Sequence, residues 1–272
     1  MFPEINKNYK EKKVMAIKNI ISDMDGVIYR GKSVVPGAKD FINRLISSGT
    51  PFLFLTNNSE QTPLDLKRKL EIMGFEGIDE SNFITSAMAT ADFLHEQQPA
   101  GTAYVIGGGG LINELYKAGF SITENNPDYV VVGKTKSFNF DMLRKAISLI
   151  MGGAKFIGTN PDVIDPMEDG FEPACGSILA SIEIATGKKP YIIGKPNSLM
   201  MTIALKQLGA IGSETLMIGD RMDTDIVAGM EAGMKTCLVL SGVSHKDTST
   251  MFPYKPDYIF DSIKEIELDQ LD

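Results

Sequence analysis

The run Ile20-Ile21-Ser22-Asp23-Met24-Asp25-Gly26-Val27 constrains this chain more than any other stretch. Apolar residues lead straight into two acids, and a glycine follows at once. A short apolar run of this kind reads as a buried strand. In a parallel sheet the carboxyl end of such a strand faces the ligand crevice. Asp23 and Asp25 are two residues apart, so continuous strand geometry puts both carboxylates on one face. Gly26 then lets the backbone turn away without a side chain in the crevice. Two carboxylates on one face suit a divalent cation, which takes hard oxygen ligands. They also suit a division of roles between a nucleophile and a general acid/base. A solvated Asp-Gly turn is the plainer reading of this stretch alone.

Length and charge narrow the setting. The 272 residues suffice for two domains, and 43% hydrophobic with 23% charged residues is ordinary for a globular protein. A net charge of −8 disfavours a nucleic-acid partner. A metal and a nearby lysine can still reverse the field inside a site. Cys175 and Cys237 form neither a disulfide framework nor a metal spacing, which fits a reducing, cytoplasmic compartment. With only His95 and His245, a histidine triad or zinc site is not expected. Residues 1–16 are polar and lysine-rich and read as an N-terminal extension, not a signal peptide. No apolar run is long enough to span a bilayer, so no membrane partner is expected.

Strand and helix patterns then alternate, which predicts an α/β fold. A helix over Phe41, Ile42, Leu45 and Ile46 closes at Gly49. The apolar run Phe52–Leu55 ends on Thr56-Asn57-Asn58-Ser59. Thr62-Pro63-Leu64-Asp65 starts a helix with a capping threonine, an early proline and an acid three residues on. A helix around Ala87–Glu96 leads to a boundary near Pro99 and Gly101. The predicted organisation is a Rossmann-like parallel-sheet core in two parts, 1–97 and 191–272, with an α/β cap inserted at 98–190. Within the insert, the glycine run Gly107–Gly110 is read as a plain strand-to-helix turn rather than a phosphate loop. Cys175 is read as a buried small residue. After it, Tyr191-Ile192-Ile193 is read as a core strand leading to Gly194-Lys195-Pro196. Thr215–Ile218 leads to Gly219-Asp220-Arg221-Met222-Asp223-Thr224-Asp225. Thr236–Leu240 and Tyr258–Phe260 are the last strands.

Collected at the strand ends are Asp23 and Asp25, Thr56 and Asn57, Lys195, and Asp220 with Asp223 and Asp225. In a parallel sheet these termini converge on one crevice. Phosphoryl transfer to a carboxylate needs such a set, because catalysis there is mostly positioning and charge neutralisation.

Those four motifs, in that order, resemble the haloacid dehalogenase superfamily of aspartate-nucleophile phosphatases. The insert between the second and third motifs resembles the subfamily with a large α/β cap. Thr85-Ser86-Ala87-Met88-Ala89-Thr90, Thr159-Asn160-Pro161-Asp162, Pro173-Ala174-Cys175-Gly176 and Leu240-Ser241-Gly242-Val243 look like its NagD-like branch. The resemblance covers the chain from about Lys18 onward. It implies a phosphatase in which Asp23 takes the phosphoryl group as an aspartyl phosphate. Asp25 would protonate the leaving group and then deprotonate the attacking water. Mg2+ would bind the Asp23 carboxylate, the Asp25 carbonyl and Asp220. The Thr56 hydroxyl, the Asn57 N–H and Lys195 would hold the phosphoryl group, with Asp225 behind the metal waters or Lys195. Asn160 and Asp162 would contact substrate from the cap. Asp223 could serve there or cap the following helix.

The implied substrates are small phosphate esters: nucleoside monophosphates, sugar phosphates or p-nitrophenyl phosphate. A specific phosphoglycolate or pyridoxal-phosphate phosphatase is the alternative. The acidic stretch 163–172, longer than a tight turn needs, departs from the pattern beside the cap's substrate segment. A phospho-acceptor signalling module uses similar groups, but it would need neither the insert nor the late acid cluster. An inactive binding protein on this fold would not need every catalytic position filled. The chain is expected as a monomer or a cap-mediated homodimer.

Overall fold

Both faces of the first strand are covered, and its sequence is apolar throughout for that reason. The computed structural model describes residues 17–167 and 170–271. The N-terminal extension 1–16 lies outside them, as do Glu168 and Asp169 of the acidic stretch. In chain order, β1 (Asn19–Ser22) is followed by a small hairpin, β2 (Tyr29–Arg30) and β3 (Ser33–Val34), and by α1 (Ala38–Ser48). Next come β4 (Phe52–Thr56), α2 (Pro63–Ile72), β5 (Phe83–Thr85) and α3 (Ser86–Gln97). The insert holds β6 (Thr102–Ile106), α4 (Gly109–Lys117), β7 (Ser121–Ile122), β8 (Tyr129–Val132), α5 (Phe140–Met151) and β9 (Lys155–Gly158). It continues through β10 (Ile164–Met167), β11 (Gly170–Pro173), α6 (Cys175–Thr186) and β12 (Tyr191–Ile192). The chain ends with α7 (Ser198–Leu208), β13 (Thr215–Gly219), α8 (Val227–Glu231), β14 (Lys235–Val239) and β15 (Tyr258–Phe260).

The larger sheet is parallel, in the order β15-β14-β13-β1-β4-β5. Period-two alternation sends its side chains to two cores. Ile20, Phe52, Phe54, Leu216 and Ile218 join α1 and α2 on one face. Ile21, Leu53, Leu55 and Met217 join α3 and α7 on the other. From β1 the chain builds outward one way through β4 and β5. After the insert it builds the other way through β13, β14 and β15. That reversal leaves a crevice at the carboxyl ends beside β1. The Thr62–Asp65 capping box forms as the sequence predicts, and Gly49 closes α1 in the left-handed conformation.

The smaller sheet, β12-β9-β8-β6-β7, is also parallel. Its inner face, through Ala103 and Tyr129, and α4, through Leu111 and Leu115, share one apolar cluster with residues of the larger sheet. One reading changes here, and two gain a structural reason. Tyr191–Ile192 is an edge strand of the smaller sheet, not of the core. Ile193 and Gly194 extend that ladder, donating to Gly158 O and Thr159 O, and Tyr191 stacks on Phe93 of α3. Two residues cannot declare their sheet by periodicity, and the same shortness hides β5 and β7. The acidic stretch folds back as the hairpin β10–β11. The glycine run serves close approach: Gly110 N–H donates to Glu60 O at 2.8 Å, and a Cβ there would lie 2.8 Å from the Gln61 backbone.

That contact gives a sign to Gly110→Ala. Helix propensity alone would make it stabilising by about 1 kcal/mol. The clash should instead cost about 1–3 kcal/mol, read as a lower denaturant midpoint. A raised midpoint would show that α4 does not bear on the loop at Glu60.

Candidate active site

The crevice is built around a buried ammonium. Lys195 Nζ donates to Asp23 Oδ1 at 2.6 Å, to Asp225 Oδ1 at 2.7 Å and to Leu55 O at 3.1 Å. Burial alone would lower the lysine, but Asp225 and Asp23 together hold it above its ordinary value and protonated. Asp23 extends the ladder past β1, its N–H donating to Ile218 O at 2.8 Å. Met24 is buried behind it. Asp25 is exposed at the mouth of the crevice, bridged to Tyr29. The strand therefore ends earlier than the acid pair, but the alternation keeps both carboxylates away from the core. Desolvation in the crevice raises the Asp25 carboxyl, against the pull of Lys69 and Arg30.

Asp220, at the end of β13, sits between two glycines. A Cβ at Gly26 would lie 2.4 Å from its Oδ2, and one at Gly242 would lie 1.8 Å from it. Val243 N–H donates to that oxygen at 2.6 Å. Burial, then the Asp225 charge, pushes Asp220 up to about 7, and burial likewise raises Asp23 well above the usual carboxylate range.

The residues fit a divalent cation. Carboxylate oxygens of Asp23, Asp220 and Asp225 lie within 4.8 Å of one another. Lys195 offsets one of their charges, and a divalent cation matches what is left. Both Asp225 oxygens are engaged, by Lys195 and by Arg221 N–H at 3.1 Å. Among the described residues, Asp23 Oδ2 and Asp220 Oδ1 have no hydrogen bond. They are the oxygens free to ligate, and Asp225 is the group that aims Lys195.

Thr56, Asn57, Asn160 and Asp162, the residues expected on the phosphate and cap sides, come together as well. Thr56 ends β4, its hydroxyl accepting from Asn58 N–H at 3.1 Å. The Asn57 side chain grips the lysine backbone, accepting from Lys195 N–H at 2.8 Å and donating to Lys195 O at 3.1 Å. It also donates to Asp162 Oδ2 at 3.0 Å. Asn160 is buried, and its amide donates to Asn57 O at 2.7 Å. Its Oδ1 accepts from Asp162 N–H at 3.1 Å. Its polar atoms thus brace the Asn57 loop. Ser86 Oγ, at the start of α3, donates to the same carbonyl at 2.7 Å.

Sequence reasoning missed Arg221. Its guanidinium grips Asp223 through Nε at 3.1 Å and Nη2 at 3.0 Å and lies 3.5 Å from Asp162 Oδ1. Asp223 makes no helix cap. The Gly-Asp-Arg-x-Asp spacing held this signal, since an arginine two residues from an acid can chelate it. Lys134, from the loop after β8, was also missed. It reaches Asp165 at 2.6 Å, Glu172 at 2.5 Å and Glu60 at 3.8 Å. No local pattern announces it, because its partners come from three segments. Cys175 is buried and free, as expected.

Comparison with known proteins identifies relatives of nearly the whole chain. A family model described as haloacid dehalogenase-like hydrolase matches residues 20–121, and a second, HAD-hydrolase-like, matches 192–266. Ribonucleotide monophosphatase NagD of Escherichia coli is 46% identical over 93% of this chain and all of that protein. Dihydroxyacetone phosphatase of Corynebacterium glutamicum is 46% identical over 90% of this chain and 89% of that one. The solved structure of NagD from Escherichia coli K-12 superposes with a TM-score of 0.88 over 93% of this chain and all of that chain.

The glycine sandwich makes Asp220 testable. Gly242→Ala must displace its carboxylate, so magnesium affinity measured by calorimetry should fall about tenfold or more with the fold unchanged by circular dichroism. Gly109→Ala is the control, since a Cβ there meets nothing within 4 Å. Equal affinity in Gly242→Ala and wild type would remove Asp220 from the ligand set.

Proposed function

The chain belongs to the haloacid dehalogenase-like hydrolase family and is a phosphatase, and on that premise we propose a magnesium-dependent phosphomonoester hydrolase working through an aspartyl phosphate on Asp23. The observation that carries the reading is the Asp23 carboxylate itself. One oxygen is fixed by Lys195 and the other is left free at the crevice.

That free oxygen attacks phosphorus, and the bond to the leaving oxygen breaks. Asp25 gives the leaving oxygen its proton. Asp25 then takes a proton from the water that attacks the aspartyl phosphate, releasing inorganic phosphate and restoring Asp23. One difficult displacement becomes two easier ones. A raised carboxyl suits a group that both gives and takes a proton. The Thr56 hydroxyl and the Asn57 N–H donate to the phosphoryl oxygens, and Lys195 neutralises nucleophile and phosphate together. Mg2+, held by Asp23, the Asp25 carbonyl and Asp220, would supply the remaining charge neutralisation. Asp225 aims Lys195, Asn160 positions Asn57, and Asp162 borders the leaving-group side. Small phosphate esters, including nucleoside monophosphates, sugar phosphates and p-nitrophenyl phosphate, are the proposed substrates, in keeping with the relatives' names. Buried free thiols at Cys175 and Cys237 support a reducing, cytoplasmic setting.

Phosphate release from p-nitrophenyl phosphate tests the mechanism directly. Chelating magnesium should stop it, and Asp23→Asn should lower kcat by about 10³-fold or more. Turnover retained in Asp23→Asn would sink the aspartyl-phosphate reading.

A further inference from the structure

We propose that the cap side of this site selects esters by the charge of the leaving group, admitting neutral and amine-bearing alcohols and rejecting carboxylate-bearing ones. The inference rests on the phosphatase reading above and names the substrate class of that same site. Two clusters carry it, and in each the acids outnumber the cation that holds them. In the first, Lys134 lies between Asp165 of β10 and Glu172 of β11, with Glu60 of the core loop beyond. Lys136, at 3.3 Å from Glu172, returns one further positive charge. In the second, Arg221 is held bidentately by Asp223 and faces Asp162.

Both clusters border the place where the leaving group must sit. Asp162 accepts from the Asn57 side chain, whose loop holds the phosphoryl side. Asp165 is close enough to Asp25, the proton donor to the leaving oxygen, to act on its charge. A leaving group bonded to that oxygen therefore faces the side of the crevice that carries Asp162 and Asp165. Lys134 and Arg221 are already committed to carboxylates and offer an incoming acid no free partner. Selection here works through the repulsive element as much as the attractive one.

The core side holds the opposing cation. Lys69 Nζ sits 3.6 Å from the centroid of the Tyr29 ring and acts on Asp25. Arg30 acts on Asp25 as well, but Lys69 is engaged on the Tyr29 face and Arg30 by Gly242 O at 2.8 Å, whereas the cap side keeps an excess of acid. Like charges several ångströms apart near a protein surface translate into about a tenfold discrimination.

Three esters of nearly equal size isolate charge from shape: 2-aminoethyl phosphate, 2-hydroxyethyl phosphate and 2-phosphoglycolate. With magnesium at pH 7, kcat/KM should be about tenfold or more lower for 2-phosphoglycolate than for 2-hydroxyethyl phosphate. The amine should match or exceed the alcohol. Asp165→Asn, and independently Glu172→Gln, should narrow the gap between carboxylate and alcohol. A wild-type enzyme that takes 2-phosphoglycolate as well as the alcohol overturns the inference, and so does a gap that neither variant changes. Preference for 2-phosphoglycolate that disappears in Lys69→Met overturns it in favour of recognition by that lysine. No turnover of any ester, p-nitrophenyl phosphate included, overturns the phosphatase reading and the inference with it. Turnover without the charge order overturns the inference alone.

Discussion

Everything in the crevice depends on one ammonium held out of water. Burying a lysine is costly unless its charge is paired and its donors are satisfied. Here Asp23, Asp225 and the Leu55 carbonyl take all three Nζ donors. Such an arrangement is poor evidence for stability, since an apolar replacement can be as stable. What it supplies is direction. By occupying one oxygen of Asp23 it fixes the carboxylate plane and leaves the other oxygen facing the crevice. By occupying one oxygen of Asp225, with Arg221 N–H on the other, it removes that acid from the ligand set. A site with several acids thereby acquires distinct roles for each.

The lysine also ties the two sheets together. It follows β12, an edge strand of the smaller sheet, yet its head group lies at the carboxyl ends of the larger one. Its backbone is gripped from the core by the Asn57 side chain, and that side chain continues to Asp162 of the insert. Asn160 braces the same loop from the insert side. Asp23, the Asn57 loop and the insert are thus one hydrogen-bonded unit. Removing the Asn57 side chain would leave the backbone N–H and C=O of buried Lys195 without these partners, which is the expensive failure for polar networks.

Much of this was legible because the chemistry sits at strand ends. Asp23, Thr56 and Asp220 each follow an apolar run long enough to read, and the α/β alternation then brings them together. The Thr62–Asp65 cap was legible because its spacing is its mechanism. Tyr191–Ile192 was assigned to the wrong sheet because two residues carry no period and its partner, β9, lies more than thirty residues away in sequence. Asn57 was read for its backbone, whereas its side chain does more, and only the proximity of Lys195 shows it. Lys134 was invisible for the same reason, its partners being set by tertiary contact, whereas Arg221 carried a local signal in its spacing from Asp223 and only its approach to Asp162 is tertiary. The glycine run was legible as a turn but not as a contact, since its reason is the backbone at Glu60 and Gln61.

Charge is distributed along the path a substrate must take. The chain carries a net charge of −8, yet its reaction concerns an anion. At the core end, Lys195 and, on the proposed reading, a divalent cation held by Asp23 and Asp220 would make the field attractive to phosphoryl oxygens. At the insert end, Asp162, Asp165 and Glu172 leave an excess of acid. On the proposed reading this gradient would orient a phosphate ester before any shape is read, its phosphoryl end toward β1 and its other end toward the hairpin. A surface with this gradient needs few specific contacts to bind many alcohols, because the core recognises what they share. If the proposed charge selection holds, shape and hydrogen bonding at the hairpin are left only the smaller task of choosing among uncharged or cationic leaving groups.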